Sequence, residues 1–99
     1  MLNASGVLPH LRDLIVHLHR GNAARAETIV SEVAVYLKDV MQSGGDPESF
    51  EMQRTRQTMF AIDEVKIQLA QQDYDGAAVS ARDAAKEWRQ TAGPQASAE

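Results

Sequence analysis

All three histidines of the chain lie close together, and two of them share one side of a predicted helix with an aspartate. His10, Asp13 and His17 are spaced three and four residues apart, which places them on one helix face. Imidazole and carboxylate bind metals, but a closed zinc site needs a fourth ligand, and no suitably spaced Cys or His accompanies these three. The sequence therefore predicts a charged, solvated face that holds neither a metal nor a cofactor.

The remaining polar residues do not form a recognisable catalytic set. Asp63 and Glu64 are adjacent on a predicted helix and point in different directions, unlike a pair of carboxylates that work together. Gly44-Gly45 lacks the Lys and the Ser or Thr that complete a phosphate-binding loop. Because the chain contains no Cys, a thiolate nucleophile and a disulfide scaffold are both excluded. We expect a protein that is not an enzyme.

The composition is that of a small acidic globular domain. The 99 residues suit one domain, and 43% hydrophobic with 24% charged residues argues against disorder. The net charge of −4 and the scattered positions of the ten Lys and Arg residues disfavour nucleic acid and anionic membranes as partners. No apolar stretch approaches the roughly 20 residues that span a bilayer. No signal-peptide pattern opens the sequence, so a cytoplasmic location is expected.

Four segments repeat apolar residues at three- and four-residue steps, which is the period of an amphipathic helix. No segment has the period of a strand, so the predicted fold is all-α, with four antiparallel helices forming two αα-hairpins. Ser5 is the predicted cap of the first helix, Asp46-Pro47 opens the third, and Asp73 or Asp75 opens the fourth. The predicted helices cover residues 6–20, 22–42, 47–71 and 74–91 of a single domain, 1–92, which a flexible tail, 93–99, follows.

The two halves of the chain carry the same pattern when one is shifted by 51 residues. The matched apolar pairs are Leu8 with Met59, Leu11 with Ile62, Leu14 with Val65, Leu18 with Leu69, Ala26 with Ala77, Val30 with Ala81, Val33 with Ala84, and Leu37 with Trp88. The break at Gly21-Asn22 falls on Gln72-Asp73. Each half is therefore predicted to be a helix, a tight turn and a second helix, which makes the chain a structural repeat.

The stretch QDYDGA at 72–77, followed by Ala84, resembles the turn and second helix of a tetratricopeptide repeat. In that family, small residues at the positions of Ala77 and Ala84 let neighbouring helices approach closely. The resemblance covers 72–84 and extends less well to 21–33, where Val33 replaces the small residue. Glu64 stands where the family's first helix prefers Leu. The resemblance implies a protein-binding helical scaffold, so the helices form either a closed four-helix bundle or a short, open tetratricopeptide-like stack.

The segment 17–21 resembles the phosphorylated His-x-x-Lys-Gly motif of histidine phosphotransfer domains, which are also four-helix bundles. The resemblance implies that His17 accepts a phosphoryl group. Here Arg20 replaces the Lys, and Gly21-Asn22 predicts a turn where the helix of that family continues. Phosphoryl relay through His17 is therefore the alternative function.

The third predicted helix has apolar residues on the side away from its apolar stripe. Phe60 and Ile67 lie almost opposite Ile62 and Val65 when side chains are placed at about 100° per residue. Apolar residues flanked by charges often mark an interface, although a helix buried on two sides gives the same pattern. The predicted interaction set comprises Phe60, Ile67, Arg56, Asp63, Glu64 and Val16, the residue that the 51-residue shift matches to Ile67.

The sequence thus favours a small non-catalytic module that binds other proteins, such as an adaptor, a chaperone or an inhibitor of a larger protein. A small domain with apolar residues on two sides of its longest helix gains by self-association, so we expect a homodimer. Trp88 is expected to cover one end of the core.

Overall fold

The computed structural model describes residues 2–90, which form four helices and, within that range, no strand. The helices are α1 (Ala4–His19), α2 (Ala23–Met41), α3 (Phe50–Ala70) and α4 (Tyr74–Trp88). The prediction of an all-α fold with four helices is confirmed. The predicted tail, 93–99, lies outside the described residues.

Two helix caps differ from the predicted ones because another polar side chain satisfies the terminal N–H groups. Asn3 caps α1 in place of Ser5, and its side chain accepts a hydrogen bond from Gly6 N at 3.0 Å. Ser49 caps α3, so this helix begins after Asp46-Pro47. The Asp46 carboxylate accepts from Glu48 N at 2.9 Å and closes a turn of its own, in which Pro47 has the favoured place. The fourth helix ends at Trp88 rather than at residue 91.

The core is aliphatic and follows a spacing of four and three residues along each helix. In α1 the innermost row begins at Val7, which is fully buried, whereas the predicted Leu8 is only partly buried at the rim. Two buried threonines of α3 stay hydrogen-bonded, because Thr55 and Thr58 donate to the carbonyls four residues earlier, at 2.8 and 2.9 Å. Alanines dominate the buried side of α4: Ala77, Ala78, Ala81, Ala84 and Ala85.

Each helix packs against two neighbours, and the order of packing closes into a ring. The contacting pairs are α1 with α2, α2 with α3, α3 with α4, and α4 with α1. Within the described residues, the backbones of the diagonal pairs α1–α3 and α2–α4 do not approach each other closely. In an open stack the last helix would not return to the first. The arrangement is therefore the closed bundle, not the tetratricopeptide-like stack.

The two hairpin turns are built in the same way, as the 51-residue shift predicts. Asn22 N donates to His17 O at 2.9 Å, and the equivalent Asp73 N donates to Gln68 O at 2.8 Å. The side chains of Asn22 and Asp73 then cap α2 and α4. Both turns need a left-handed residue, which is Gly21 (φ 69°) in the first and Gln72 (φ 61°) in the second. The second turn therefore holds a residue with a side chain in a strained backbone conformation, whereas the first turn has glycine at the equivalent position.

Replacing Gln72 by glycine is expected to raise the free energy of unfolding by about 1 kcal/mol, because glycine adopts the left-handed conformation without a steric penalty. Urea unfolding monitored by circular dichroism measures this gain. Gly21→Gln is the matched control and should lose a similar amount. No atom lies within 4 Å of the position that a Cβ would take at Gly21, so its cost comes from the backbone alone. An unchanged midpoint for both variants would contradict the equivalence of the turns.

Candidate functional site

The side of α3 that faces away from the bundle exposes two large apolar residues. Phe60 is 67% exposed and Ile67 is 52% exposed, while Ile62 and Val65 between them are fully buried. The two exposed residues lie seven residues apart, or two helical turns, so they follow one line along the helix. Neither residue belongs to a second core face, and both are available to a partner.

Charged residues flank this apolar line, as the sequence predicts. Arg56, Asp63 and Glu64 are all exposed. The Arg56 guanidinium donates to the Pro47 carbonyl at 3.0 Å. No ion pair within the described residues involves Asp63 or Glu64. We call the set Arg56, Phe60, Asp63, Glu64 and Ile67 the α3 outer face.

Val16 does not belong to this surface, although the 51-residue shift, which matches it to Ile67, predicts it there. Its side chain is 43% exposed, but it lies on α1, which is diagonal to α3 in the bundle. The shift that matches Val16 with Ile67 relates two equivalent places in the repeat, and those places lie on opposite corners. Val35 on α2 and Val79 on α4 are exposed in the same way on the other two corners.

The histidines of α1 are held by separate partners and do not converge. His10 Nε2 lies 3.2 Å from Glu32 Oε1 on α2, and His19 Nε2 accepts from Arg82 on α4 at 2.8 Å. The side chain of His17 is only 20% exposed, so the solvated position expected for it is wrong. His17 is covered because its ring faces the α1–α2 turn. Within residues 2–90, no three His, Cys, Asp or Glu side chains are placed to share a metal.

Both ring nitrogens of His17 already have neighbours. Nε2 lies 3.6 Å from Asp13 Oδ1, and Nδ1 lies 3.3 Å from the side-chain nitrogen of Asn22. Gly21 has a positive φ and ends the helix, as the turn prediction requires. The segment 17–21 therefore ends α1 and leads into the turn. Phosphotransfer requires an accessible imidazole, and the neighbours of His17 leave little access to its ring.

A shallow groove between α1 and α2 was not predicted from the sequence. Its volume is about 560 Å³, and its lining includes Leu2, Gly6, His10, Glu32 and Val35. The contributing residues lie on different helices, so no single helical pattern marks them. Val35 is the one residue whose position in the sequence indicates an apolar surface here, because it lies away from the buried stripe of α2. In the structure it is 60% exposed.

An arginine is stacked between aromatic rings at the opposite end of the bundle from the hairpin turns. The Arg54 guanidinium lies 4.0 Å from the centre of the Trp88 ring and 5.8 Å from that of Phe50. Tyr36 meets Trp88 edge to face, with ring centres 6.2 Å apart. Cation–π contact of this kind stabilises the end of the core. Trp88 is 7% exposed and covers that end, as expected.

The α3 outer face is therefore the best-defined candidate site, and it offers contacts rather than chemistry. Within residues 2–90, no helix is both long enough and apolar enough to cross a membrane. Comparison of the chain with protein-family models, with curated proteins and with solved structures finds no match.

Proposed function

We propose that this chain is a small non-catalytic module that binds another protein through the α3 outer face, as an adaptor, a chaperone or an inhibitor does. The observation that carries the proposal is the exposure of Phe60 and Ile67 on one line of α3. Large apolar side chains at the centre of a charged rim are the usual anchors of protein interfaces. The acidic net charge of −4 supports a protein partner over nucleic acid, and we propose a cytoplasmic location.

Replacing Phe60 and Ile67 together by aspartate is expected to abolish partner binding while the helical circular dichroism signal survives. Each anchor at an interface hot spot contributes about 2 kcal/mol or more, and a buried charge adds a desolvation cost. The fold survives because neither side chain packs into the core. Affinity capture from the native host, with the wild-type chain and the double variant compared by mass spectrometry, measures the loss.

Val16→Asp is the matched control for this experiment. Val16 is exposed on the opposite corner of the bundle, so its variant should retain both the fold and the captured protein. If the double variant captures the same protein as the wild type, the α3 outer face is not the binding surface. If the double variant unfolds, the two side chains contribute to the core and the proposed assignment of this face fails.

A further inference from the structure

The exposed apolar residues of the molecule are concentrated on α3. Six large apolar side chains are strongly exposed in the described residues, and Phe50, Phe60 and Ile67 of α3 account for half of them. α1, α2 and α4 each expose one valine. Phe60 is the most exposed of the six and lies near the middle of α3, so a partner helix would be centred on it.

The polar residues beside Phe60 form two pairs, one on each flank of the helix. At about 100° per residue, Arg56 and Asp63 lie about 40° and 60° to one side of Phe60. Gln57 and Glu64 lie at similar angles on the other side. Each flank therefore carries a pair of residues that complement each other, one ahead of Phe60 in the sequence and one after it.

This arrangement is self-complementary when two copies of α3 pack antiparallel across a two-fold axis. Such an axis brings the same flank of both helices together and reverses the direction of one helix. With the axis at Phe60, Arg56 of each copy lies beside Asp63 of the other, and this ion pair forms twice. A parallel pairing instead places Asp63 beside Glu64 of the second copy, where two carboxylates repel each other.

We infer that the partner of the α3 outer face is a second copy of this chain, paired antiparallel with Phe60 at the two-fold axis. The inference rests on the proposed function and names the partner of the same face. Arg56 keeps its bond to the Pro47 carbonyl and has further N–H groups for a carboxylate. We expect a single helix pair to bury less than the roughly 1,600 Å² of a standard interface, so the dimer should be weak.

Charge reversal tests the ion pairs directly. Arg56→Asp and Asp63→Arg should each weaken the dimer by about tenfold, because each variant replaces two attractive pairs with two repulsive ones. The double variant exchanges the two charges, restores both attractive pairs and should recover most of the affinity. Arg12→Asp on α1, where the residue is exposed on the diagonal helix, should leave the affinity unchanged. Sedimentation equilibrium from micromolar to millimolar concentration measures all four variants.

Engineered cysteines test the direction of the pairing, because the chain has no cysteine of its own. Antiparallel pairing places Ile67 opposite Gln53 of the second copy and separates the two Ile67 residues by about 21 Å. A disulfide requires Cα atoms within roughly 7 Å. Oxidising a mixture of Gln53→Cys and Ile67→Cys chains should therefore give the mixed dimer, and Ile67→Cys alone should give none.

Two outcomes overturn the inference. One is a chain that stays monomeric at millimolar concentration, and the other is a dimer in which Ile67→Cys alone cross-links. The proposed function survives either outcome if Phe60→Asp with Ile67→Asp still abolishes capture of a different protein. The two proposals are therefore separable by experiment.

Discussion

Replacing Trp88 by alanine is expected to lower the free energy of unfolding by about 3–5 kcal/mol. The side chain is 7% exposed, and its removal leaves a cavity at the end of the bundle. It also removes the ring that Arg54 covers at 4.0 Å and the edge contact with Tyr36. A domain of this size has a total stability of about 5–15 kcal/mol, so the loss threatens the fold itself. Urea unfolding monitored by circular dichroism gives the value.

Trp88→Phe is the appropriate control, because phenylalanine keeps a ring for Arg54 and fills most of the volume. Trp88→Phe should lower the free energy of unfolding by much less than Trp88→Ala does. An alanine variant as stable as the wild type would mean that the end of the core repacks without an aromatic residue.

Replacing Ile62 by alanine is expected to cost about 2–5 kcal/mol, whereas Phe60→Ala should change stability by less than about 0.5 kcal/mol. The larger side chain has the smaller effect because Phe60 is 67% exposed and Ile62 is fully buried on the same helix. The cost at Ile62 combines lost burial with an unfilled cavity between α3 and its two neighbours. Thermal or urea unfolding at a concentration where the chain is monomeric measures both.

The comparison of these two variants also checks how α3 is oriented in the bundle. Both positions lie in the middle of α3, so helix propensity and end effects are nearly the same for each. Equal losses at both positions would show that α3 is buried on two sides. That result would remove the basis for the α3 outer face.

The helices and their inward sides follow from the sequence because helical periodicity is a local property. Leu11, Leu14 and Leu18 recur at helical spacing and are all buried. Helix ends depend on which nearby polar group reaches the free N–H groups, and Asp46 closes its own turn while Ser49 caps α3. That competition between neighbours cannot be decided from residue types alone.

The candidate site was predictable within one helix but not between helices. The position of Phe60 and Ile67 away from the buried stripe follows from the phase of α3, whereas the packing of the bundle decides that this side is exposed and is not a second core face. Val16 was grouped with them because the pattern of α1 is the same, and only the packing order shows that α1 and α3 are diagonal. The groove beside Val35 could not be predicted from the sequence for the same reason, because it forms only where α1 and α2 pack together.

The internal repeat makes one half of the molecule a reference for the other. Residues that the architecture requires recur at equivalent places, as Leu11 and Ile62 do in the core and Asn22 and Asp73 do at the caps. The place of Phe60 is occupied in the first half by Pro9, which is also exposed. A bundle corner of this kind therefore folds without an aromatic residue. The fold therefore tolerates Phe60 but does not need it for stability. A role in binding accounts for Phe60 better than a role in folding.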